Sequence, residues 1–423
     1  MTHDKVATRV WVLHPDIKSD RDRRASGPAL DEAVSLAKAL PSLDIIGQTI
    51  VPLPKPQPGR LFGSGKVDEL GQVFKSQDIE LVMIDGPLTP VQQRNLEKDW
   101  GVKILDRTGL ILEIFSDRAA TREGVLQVEM AALSYQRTRL VRAWTHLERQ
   151  RGGLGFVGGP GETQIEADRR AIDEQLVRLR RQLAKVVKTR TLHRAARAKI
   201  PYPIVALVGY TNAGKSTLFN RLTGADVMAK DMLFATLDPT MRSVRLENGI
   251  DVILSDTVGF ISDLPTELVA AFRATLEEVL SADLILHVRD ISHAATQEQS
   301  DDVLEILNTL GVKGETPLIE VWNKIDQLSP DEIAAMDNTA ARHENICSIS
   351  AVTGQGLDQL LSAIAQGLGL DKSRDTLFVP YSDGKKRAWL FDQGIIDTQT
   401  DGEDGTEFTV SWSPKQQAQY RKL

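Results

Sequence analysis

The pattern of apolar and polar positions in the first 124 residues predicts strands and helices that alternate along the chain. The expected strands cover residues 8–13, 43–51, 81–84 and 102–105, and the expected helices cover residues 28–40, 66–76 and 90–99. Strands and helices that alternate along a chain favour a largely parallel sheet. Residues 1–124 are therefore predicted to form an α/β domain.

Residues 125–199 follow a helical pattern instead. One helix is expected over residues 125–149 and a second over residues 163–198, where apolar residues recur at helical spacing. Between them lies a glycine-rich stretch, residues 151–161, which is flanked by arginines. An antiparallel helical hairpin is the simplest arrangement for this segment.

A third region, residues 200–370, contains a candidate phosphate-binding loop. An apolar run over residues 204–208 predicts a buried parallel strand, residues 217–222 open a helix, and the residues between them read G-x-x-x-x-G-K-S. In this context the loop amides can point at phosphate oxygens, Lys215 places a charge beside the β and γ phosphates, and the Ser216 hydroxyl is placed to bind Mg2+. A nucleoside triphosphate site is therefore predicted at Gly209, Tyr210, Thr211, Asn212, Ala213, Gly214, Lys215, Ser216 and Thr217.

The base is indicated by another predicted strand, residues 318–322, which ends in the sequence N-K-x-D. The carboxylate of Asp326 can accept both the N1–H and the exocyclic N2–H2 of guanine, whereas adenine offers no such pair of donors. GTP is therefore favoured over ATP. The residues expected at the guanine are Asn323, Lys324 and Asp326, together with Ser350, Ala351 and Val352 in a loop whose amides suit the guanine oxygen.

Two further segments fit loops that respond to the γ phosphate. The D-x-x-G sequence at Asp256, Thr257, Val258 and Gly259 is expected to place Asp256 near the metal through water and the Gly259 amide near the γ phosphate. The second segment is Phe234, Ala235, Thr236, Leu237 and Asp238, in which the Thr236 hydroxyl should reach Mg2+ only while the γ phosphate holds the loop. The predicted Mg2+ ligands are thus Ser216 and Thr236. Most of these motifs are weak when taken singly, but five segments in the correct order make coincidence improbable.

The amino-acid composition indicates the broad class of protein. The 423 residues are 41% hydrophobic and 26% charged, an ordinary balance for globular domains, and Cys347 is the only cysteine. The N-terminus lacks the pattern of a secretion signal, and no window approaches the run of about 18 apolar residues that a membrane span requires. A cytoplasmic monomer without integral membrane association is expected.

The net charge of −7 hides a basic middle region. Residues 126–200 hold 13 Arg and 3 Lys against 5 Glu and 2 Asp, a net charge of +9, so the remainder of the chain carries −16. A flexible connector would explain the glycine-rich stretch, but this charge favours a polyanionic partner such as folded RNA. The candidate RNA contacts are Arg149, Arg151, Gly152, Gly153, Gly155, Gly158, Gly159, Arg169 and Arg170.

Two features of the N-terminal domain are less informative. Residues 63–66 resemble part of a phosphate loop, but the glycine spacing is one residue too long and Val67 stands where the hydroxyl must be, so a turn into a helix is favoured. His14, Asp85 and Asp106 lie at predicted strand ends, and no paired partner is identified for any of them.

The motifs together resemble those of HflX-type GTPases, in the translation-factor-related class of P-loop GTPases. The resemblance is carried by residues 63–66, 106–108, 151–170 and 234–239, and it covers roughly residues 5–370. It implies a cytosolic GTPase that binds the 50S ribosomal subunit and its RNA, with the N-terminal domain and hairpin reaching towards the peptidyl-transferase region. It further implies a role in splitting or rescuing stalled ribosomes under stress. Residues 371–423, expected to form a small α+β module, correspond to a more variable extension.

Hydrolysis is expected to be slow, because Phe260 follows the D-x-x-G sequence where many relatives of Ras carry the glutamine that orients water. Asn212 occupies a position that resembling GTPases use to help bind K+, and a purely structural role for it is equally open. Two other classes of function also stay open. One is a regulatory GTPase whose hairpin docks a protein partner, and the other is an enzyme whose chemistry lies in the N-terminal domain.

Overall fold

The structure is a computed structural model that describes residues 7–20, 24–150, 160–197, 202–225, 233–234, 237, 240–246, 249–262, 278–312, 316–340, 342–343, 345–369, 373–412 and 414–421. Its strands form three separate sheets of four, six and three strands. Within the described ranges, no helix combines the length and the apolar character needed to cross a membrane.

The N-terminal domain is built on a parallel sheet, as the alternating pattern predicts. Its strands appear in the order β2-β1-β3-β4, and every neighbouring pair is parallel. The elements are β1 (Thr8–Ile17), α1 (Ser26–Lys38), β2 (Leu43–Leu53), α2 (Ser64–Ser76), β3 (Leu81–Ile84), α3 (Pro90–Trp100), β4 (Lys103–Asp106) and α4 (Arg107–Arg118).

Local sequence explains where α3 begins and ends. The Thr89 hydroxyl accepts the Gln92 N–H at 3.2 Å, while Gln92 Oε1 accepts the Thr89 N–H at 3.0 Å, so two amides at the start of the helix are satisfied. Pro90 follows at the first helical position, and Gly101 ends the helix with a φ of 71°.

Helix α4 is an element that the sequence pattern does not predict. Its apolar residues run almost without interruption from Leu110 to Phe115 and are buried, so no one-sided repeat marks a helix there. The buried residues of α4 belong to a core shared with other parts of the chain, while Glu113, Ser116 and Asp117 are exposed.

Two long helices follow, α5 (Arg122–Gln150) and α6 (Pro160–Arg197). Arg137 on α5 pairs with Asp173 on α6 at 2.7 Å, and both residues are equally far from the middle of the intervening stretch. The two helices therefore pack antiparallel, which confirms the predicted hairpin. The segment of α6 that faces inward includes Leu176 and Leu179, both buried.

The third region is a mixed sheet flanked by helices. Its strands appear in the order β10-β9-β8-β5-β7-β6, and only the edge strand β6 is antiparallel to its neighbour. The elements are β5 (Ile204–Gly209), α7 (Lys215–Thr223), β6 (Thr240–Arg245), β7 (Asp251–Asp256), β8 (Leu284–Asp290), α8 (Thr296–Leu310), β9 (Leu318–Asn323), α9 (Pro330–Ala340), β10 (Ile346–Ser348) and α10 (Leu357–Gly367).

The C-terminal residues form a small α+β domain with a core of its own. Its antiparallel sheet has the order β11-β13-β12, and its core includes Phe408 and Trp412. The elements are β11 (Ser373–Pro380), α11 (Gly384–Asp392), β12 (Ile396–Asp401), β13 (Gly405–Trp412) and α12 (Pro414–Tyr420).

One apolar core joins the N-terminal domain to the six-stranded domain. The cluster includes Leu110 and Phe115 of α4 together with Val208 of β5 and Phe234. The rings of Phe115 and Phe234 meet edge to face, with centroids 4.6 Å apart. The two domains are therefore held together by buried apolar surface as well as by polar contacts.

Replacing Phe115 with alanine should lower the free energy of unfolding by about 3 to 5 kcal/mol, because the change leaves a cavity between α4 and Phe234. Denaturant titration followed by fluorescence measures this. The matched control is Phe378→Ala, whose ring is 58% exposed and whose loss should matter little. Equal effects of the two substitutions would contradict the shared core.

Candidate nucleotide site

The P-loop, residues 209–216, takes a path that requires glycine at two positions. Gly209 has a φ of 152° and Gly214 a φ of 92°, both in the range where a side chain is strained. A Cβ on Gly209 would also overlap the Val288 carbonyl oxygen, and one on Gly214 would overlap the Asn323 side chain. Both glycines of the motif are therefore needed by the backbone itself.

Lys215 begins α7 with its side chain folded back into the loop. Its ammonium is buried and donates to the carbonyl oxygens of Gly209 (3.0 Å) and Tyr210 (2.7 Å). Burial lowers the pKa of Lys215 to about 8, and the nearby Asp256 carboxylate offsets only part of that effect. An anion in the loop would supply the compensating charge, and loop amides at a helix N-terminus favour phosphate in the same place.

The Ser216 and Asp256 side chains meet at the carboxyl end of β7. The Ser216 hydroxyl donates to Asp256 Oδ2 at 2.7 Å. A hydroxyl beside a carboxylate fits Mg2+, which takes one or two protein oxygens together with phosphate rather than a full protein cage. A metal ion held there would neutralise charge on the phosphates of a bound nucleotide. Across the described ranges, no group of three or more His, Cys, Asp or Glu side chains forms such a cage.

Part of the predicted site falls outside the described residues, namely Ala235, Thr236 and Asp238. Their neighbours Phe234 and Leu237 are described, and both side chains are buried in the core that joins the two domains. These two side chains therefore belong to the protein interior rather than to a surface that a ligand could contact.

Residues 256–262, which we name the switch II segment, run along the P-loop. The Thr211 N–H donates to the Phe260 carbonyl at 2.7 Å, and the Phe260 N–H donates to the Gly209 carbonyl at 3.1 Å. A Cβ on Gly259 would lie 2.9 Å from Thr211 Cα and 3.1 Å from Lys215 Nζ. The switch II segment therefore covers the side of the P-loop on which the Lys215 ammonium lies.

The side chains of the switch II segment face inward. The Thr257 hydroxyl donates to the Leu207 carbonyl at 2.6 Å, and Val258 is buried. Phe260 is only 1% exposed and belongs to the core shared by the two domains. A ring in this position cannot orient a water molecule for attack on a phosphate.

Asn323 connects the P-loop to the loop after β10. Its Nδ2 donates to the Ala213 carbonyl at 2.8 Å, and its Oδ1 accepts the Ala351 N–H at 3.0 Å. Lys324 takes a φ of 68° and pairs with Asp290 at 2.7 Å. Three predicted base-binding residues, Asn323, Lys324 and Ala351, are thereby brought next to the P-loop or to one another.

The other base-binding candidates lie beside this junction. Asp326 is in a 3-10 turn, Ile325–Gln327, and its side chain is exposed. Ser350 is fully buried, whereas Val352 is 68% exposed. The exposed carboxylate of Asp326 is thus accessible to a base, as its predicted role requires.

Four protein-family models match the chain in succession. They are described as GTP-binding GTPase N-terminal (residues 28–116), GTP-binding GTPase Middle Region (118–197), 50S ribosome-binding GTPase (204–324) and HflX C-terminal domain (335–422).

Curated relatives named GTPase HflX align with most of the chain. The protein of Magnetococcus marinus is 48% identical over 408 residues, which is 96% of this chain and 92% of that one. The Escherichia coli protein is 45% identical over 351 residues, covering 83% and 82%, and that of Caldanaerobacter subterraneus is 41% identical over 410 residues, covering 95% and 94%. The chain belongs to the HflX family of GTPases. As a member of this family, it is an enzyme that hydrolyses GTP.

The N-terminal domain of this HflX-family chain contains a buried polar network that sequence reasoning missed. His14 Nδ1 lies 2.8 Å from Asp85 Oδ2, and Arg107 Nη1 donates to Asp85 Oδ1 at 2.7 Å. Asp106 accepts from the Tyr135 hydroxyl at 2.6 Å and pairs with Arg139 at 3.1 Å. The structure thus supplies the partners of His14, Asp85 and Asp106, which the sequence alone does not identify.

The charges in this network stabilise one another. Burial on its own would raise the pKa of Asp85, but Arg107 and His14 outweigh it and hold the pKa below its usual value. Burial would lower the pKa of Arg107, and Asp85 and Glu32 raise it instead. The partners come from elements far apart in the chain, so no local motif could have revealed them.

The candidate RNA contacts are only partly within the described residues. Arg169 and Arg170 are exposed on α6. Arg149 lies near the end of α5. The remaining candidates, Arg151, Gly152, Gly153, Gly155, Gly158 and Gly159, fall outside the described residues.

The depressed pKa of Lys215 predicts proton uptake when a nucleotide binds. Lys215 is protonated below about pH 8 in the free protein, and phosphate should raise its pKa, so above that pH binding must bring in a proton. Affinity should therefore fall as the pH rises through 8, by up to about one decade per pH unit. Calorimetry at about pH 8.5 in two buffers of different ionisation enthalpy measures the uptake. Heats that do not depend on the buffer would contradict this account.

Proposed function

We propose that this chain is a GTP-driven switch that binds the 50S ribosomal subunit and helps to split or rescue stalled ribosomes under stress. One observation carries the proposal: the same chain has two features that suit a ribosome partner. Its P-loop domain matches a family model described as 50S ribosome-binding GTPase, and its hairpin has a net charge of +9. A cytoplasmic location and a monomeric state are part of the proposal, because its partner is the ribosome.

The nucleotide is proposed to lie along the P-loop with its base against the loop after β10. Lys215 and the P-loop amides bind the β and γ phosphates, and Ser216 binds Mg2+ directly while Asp256 does so through water. Asp326 pairs with the two guanine donors, and Asn323 keeps its loop against the P-loop. Support comes from the buried ammonium of Lys215 and the exposed carboxylate of Asp326.

Intrinsic hydrolysis is proposed to be slow, because the residue after the D-x-x-G sequence is the buried Phe260, whose ring cannot position a water molecule. The missing group is supplied on the ribosome. K+ is proposed to contribute to GTP hydrolysis as well. Asn212 takes a φ of 60° in the P-loop, and its amide oxygen would be one ligand of the ion.

The hairpin is proposed to contact ribosomal RNA through phosphate. Arg169 and Arg170 are exposed on α6, the helix that follows the glycine-rich stretch in sequence. Contacts of this kind release counterions, so binding weakens steeply as salt is added. A hairpin that docked a protein through an apolar face would lose much less affinity with salt.

Sedimentation with purified 50S subunits tests this proposal. The chain should pellet with a GTP analogue and much less with GDP, and the double variant Arg169→Glu/Arg170→Glu should lose about 10-fold or more in affinity at low salt. The matched control is Arg374→Glu/Lys385→Glu in the C-terminal domain, which changes the net charge equally. Equal losses in both variants, or pelleting independent of the nucleotide, would count against the proposal.

The K+ hypothesis is tested by turnover in KCl and NaCl at equal ionic strength. Faster hydrolysis in KCl is expected, and the Asn212→Asp variant should change the ratio of the two rates because it changes the charge at the ion. Equal rates in the two salts would remove K+ from the mechanism.

A further inference from the structure

Ser262, at the end of the switch II segment, is held by several groups at once. Its N–H donates to the Tyr210 hydroxyl at 2.7 Å, and its own hydroxyl donates to Asp302 Oδ2 at 2.7 Å. Its carbonyl accepts from Arg107 Nη2 at 2.9 Å. Two of these three partners belong to the GTPase domain, but Arg107 belongs to α4 of the N-terminal domain.

The N-terminal domain holds Ser262 through a second residue as well. Glu32 of α1 accepts a hydrogen bond from the Tyr210 hydroxyl and another from Arg107 Nη2. Burial and the Glu32 carboxylate both raise the pKa of Tyr210, so its hydroxyl stays protonated and remains a donor. Glu32 and Arg107 therefore form, with Tyr210, a closed set of contacts around the Ser262 backbone, which we name the Ser262 clamp.

The clamp is rigid on the N-terminal side. Arg107 is 4% exposed, and its other terminal nitrogen is fixed by Asp85, which is in turn fixed by His14. Breaking one member of such a buried set leaves a charge without its partner, so the set tends to hold or release as a unit.

The Ser262 clamp holds the switch II segment close to the Lys215 ammonium, beside which the γ phosphate is proposed to lie. Gly259 lies against Thr211 and Lys215, so closely that one added carbon would be 2.9 Å from Thr211 Cα and 3.1 Å from Lys215 Nζ. The Thr211 amide is also engaged by the Phe260 carbonyl. A third phosphate needs this space, and it also needs the Gly259 amide turned towards it. We therefore expect the switch II segment to move when GTP binds, and the Ser262 clamp would oppose that movement.

We propose that Glu32 and Arg107 are positioning residues that hold the switch II segment in the state that accepts GDP and disfavours GTP. The inference rests on the proposed placement of the phosphates along the P-loop. A shift of the N-terminal domain, which carries both residues, would release Ser262 and allow the triphosphate state. Nucleotide preference in this chain is thus set partly by side chains outside the GTPase domain.

The test compares affinities for GDP and for a non-hydrolysable GTP analogue, both measured with fluorescent nucleotides on the full chain. Glu32→Gln removes the charge that pairs with Arg107, and Tyr210→Phe removes the hydroxyl on the other side of the clamp. Each variant should bind the analogue more tightly relative to GDP, by about 5-fold or more, which is the usual size of such couplings. The double variant should gain less than the product of the two single effects, because both substitutions open the same clamp.

The control is Glu113→Gln, an exposed glutamate on α4 that loses the same charge away from Ser262. It should leave the ratio of the two affinities unchanged. An unchanged ratio in both clamp variants, or equal losses for both nucleotides, would overturn the inference and leave the residues with a structural role only. If the unsubstituted chain bound neither nucleotide, the proposed function itself would fail, which is a distinct result.

Discussion

The site is organised around one buried charge, the ammonium of Lys215. It sits within the P-loop, donates to two carbonyl oxygens of that loop and has a pKa lowered to about 8 by burial. A buried ammonium is unfavourable unless an anion lies close to it, so the loop is built for a negatively charged ligand. Other features of the loop also suit an anion. The backbone path at Gly209 and Gly214 brings amides to the expected ligand position, and Ser216 brings a hydroxyl.

The second constraint is the contact between the P-loop and the switch II segment. Phe260 is fixed in the core that also contains Phe115 and Phe234, and its backbone is paired with Gly209 and Thr211. Any movement of the switch II segment therefore disturbs the surface between the two domains. This contact is the proposed link between the N-terminal domain and the nucleotide.

Much of this fold could be predicted from sequence where the signal is local. The residues from Gly209 to Ser216 lie in one turn between a strand and a helix, and the hairpin follows from two helical segments, the second marked by apolar spacing, on either side of a glycine-rich stretch. Helix α4 is only weakly marked in the sequence, because its apolar run from Leu110 to Phe115 is interrupted only by Glu113 and its exposed polar residues are few. The links from His14 through Asp85 and Arg107 to Glu32 and Tyr210 could not be predicted, since their partners come from five separate segments. Only the folded chain brings them together.

The central claim is that the buried Lys215 ammonium and the exposed Asp326 carboxylate together select a guanine nucleotide. Calorimetric titration of the full chain with GDP and with ADP, both in the presence of Mg2+, tests it most directly. The account predicts saturable binding of GDP and no detectable binding of ADP at the same concentrations. Equal binding of the two nucleotides, or heat from neither, would contradict it.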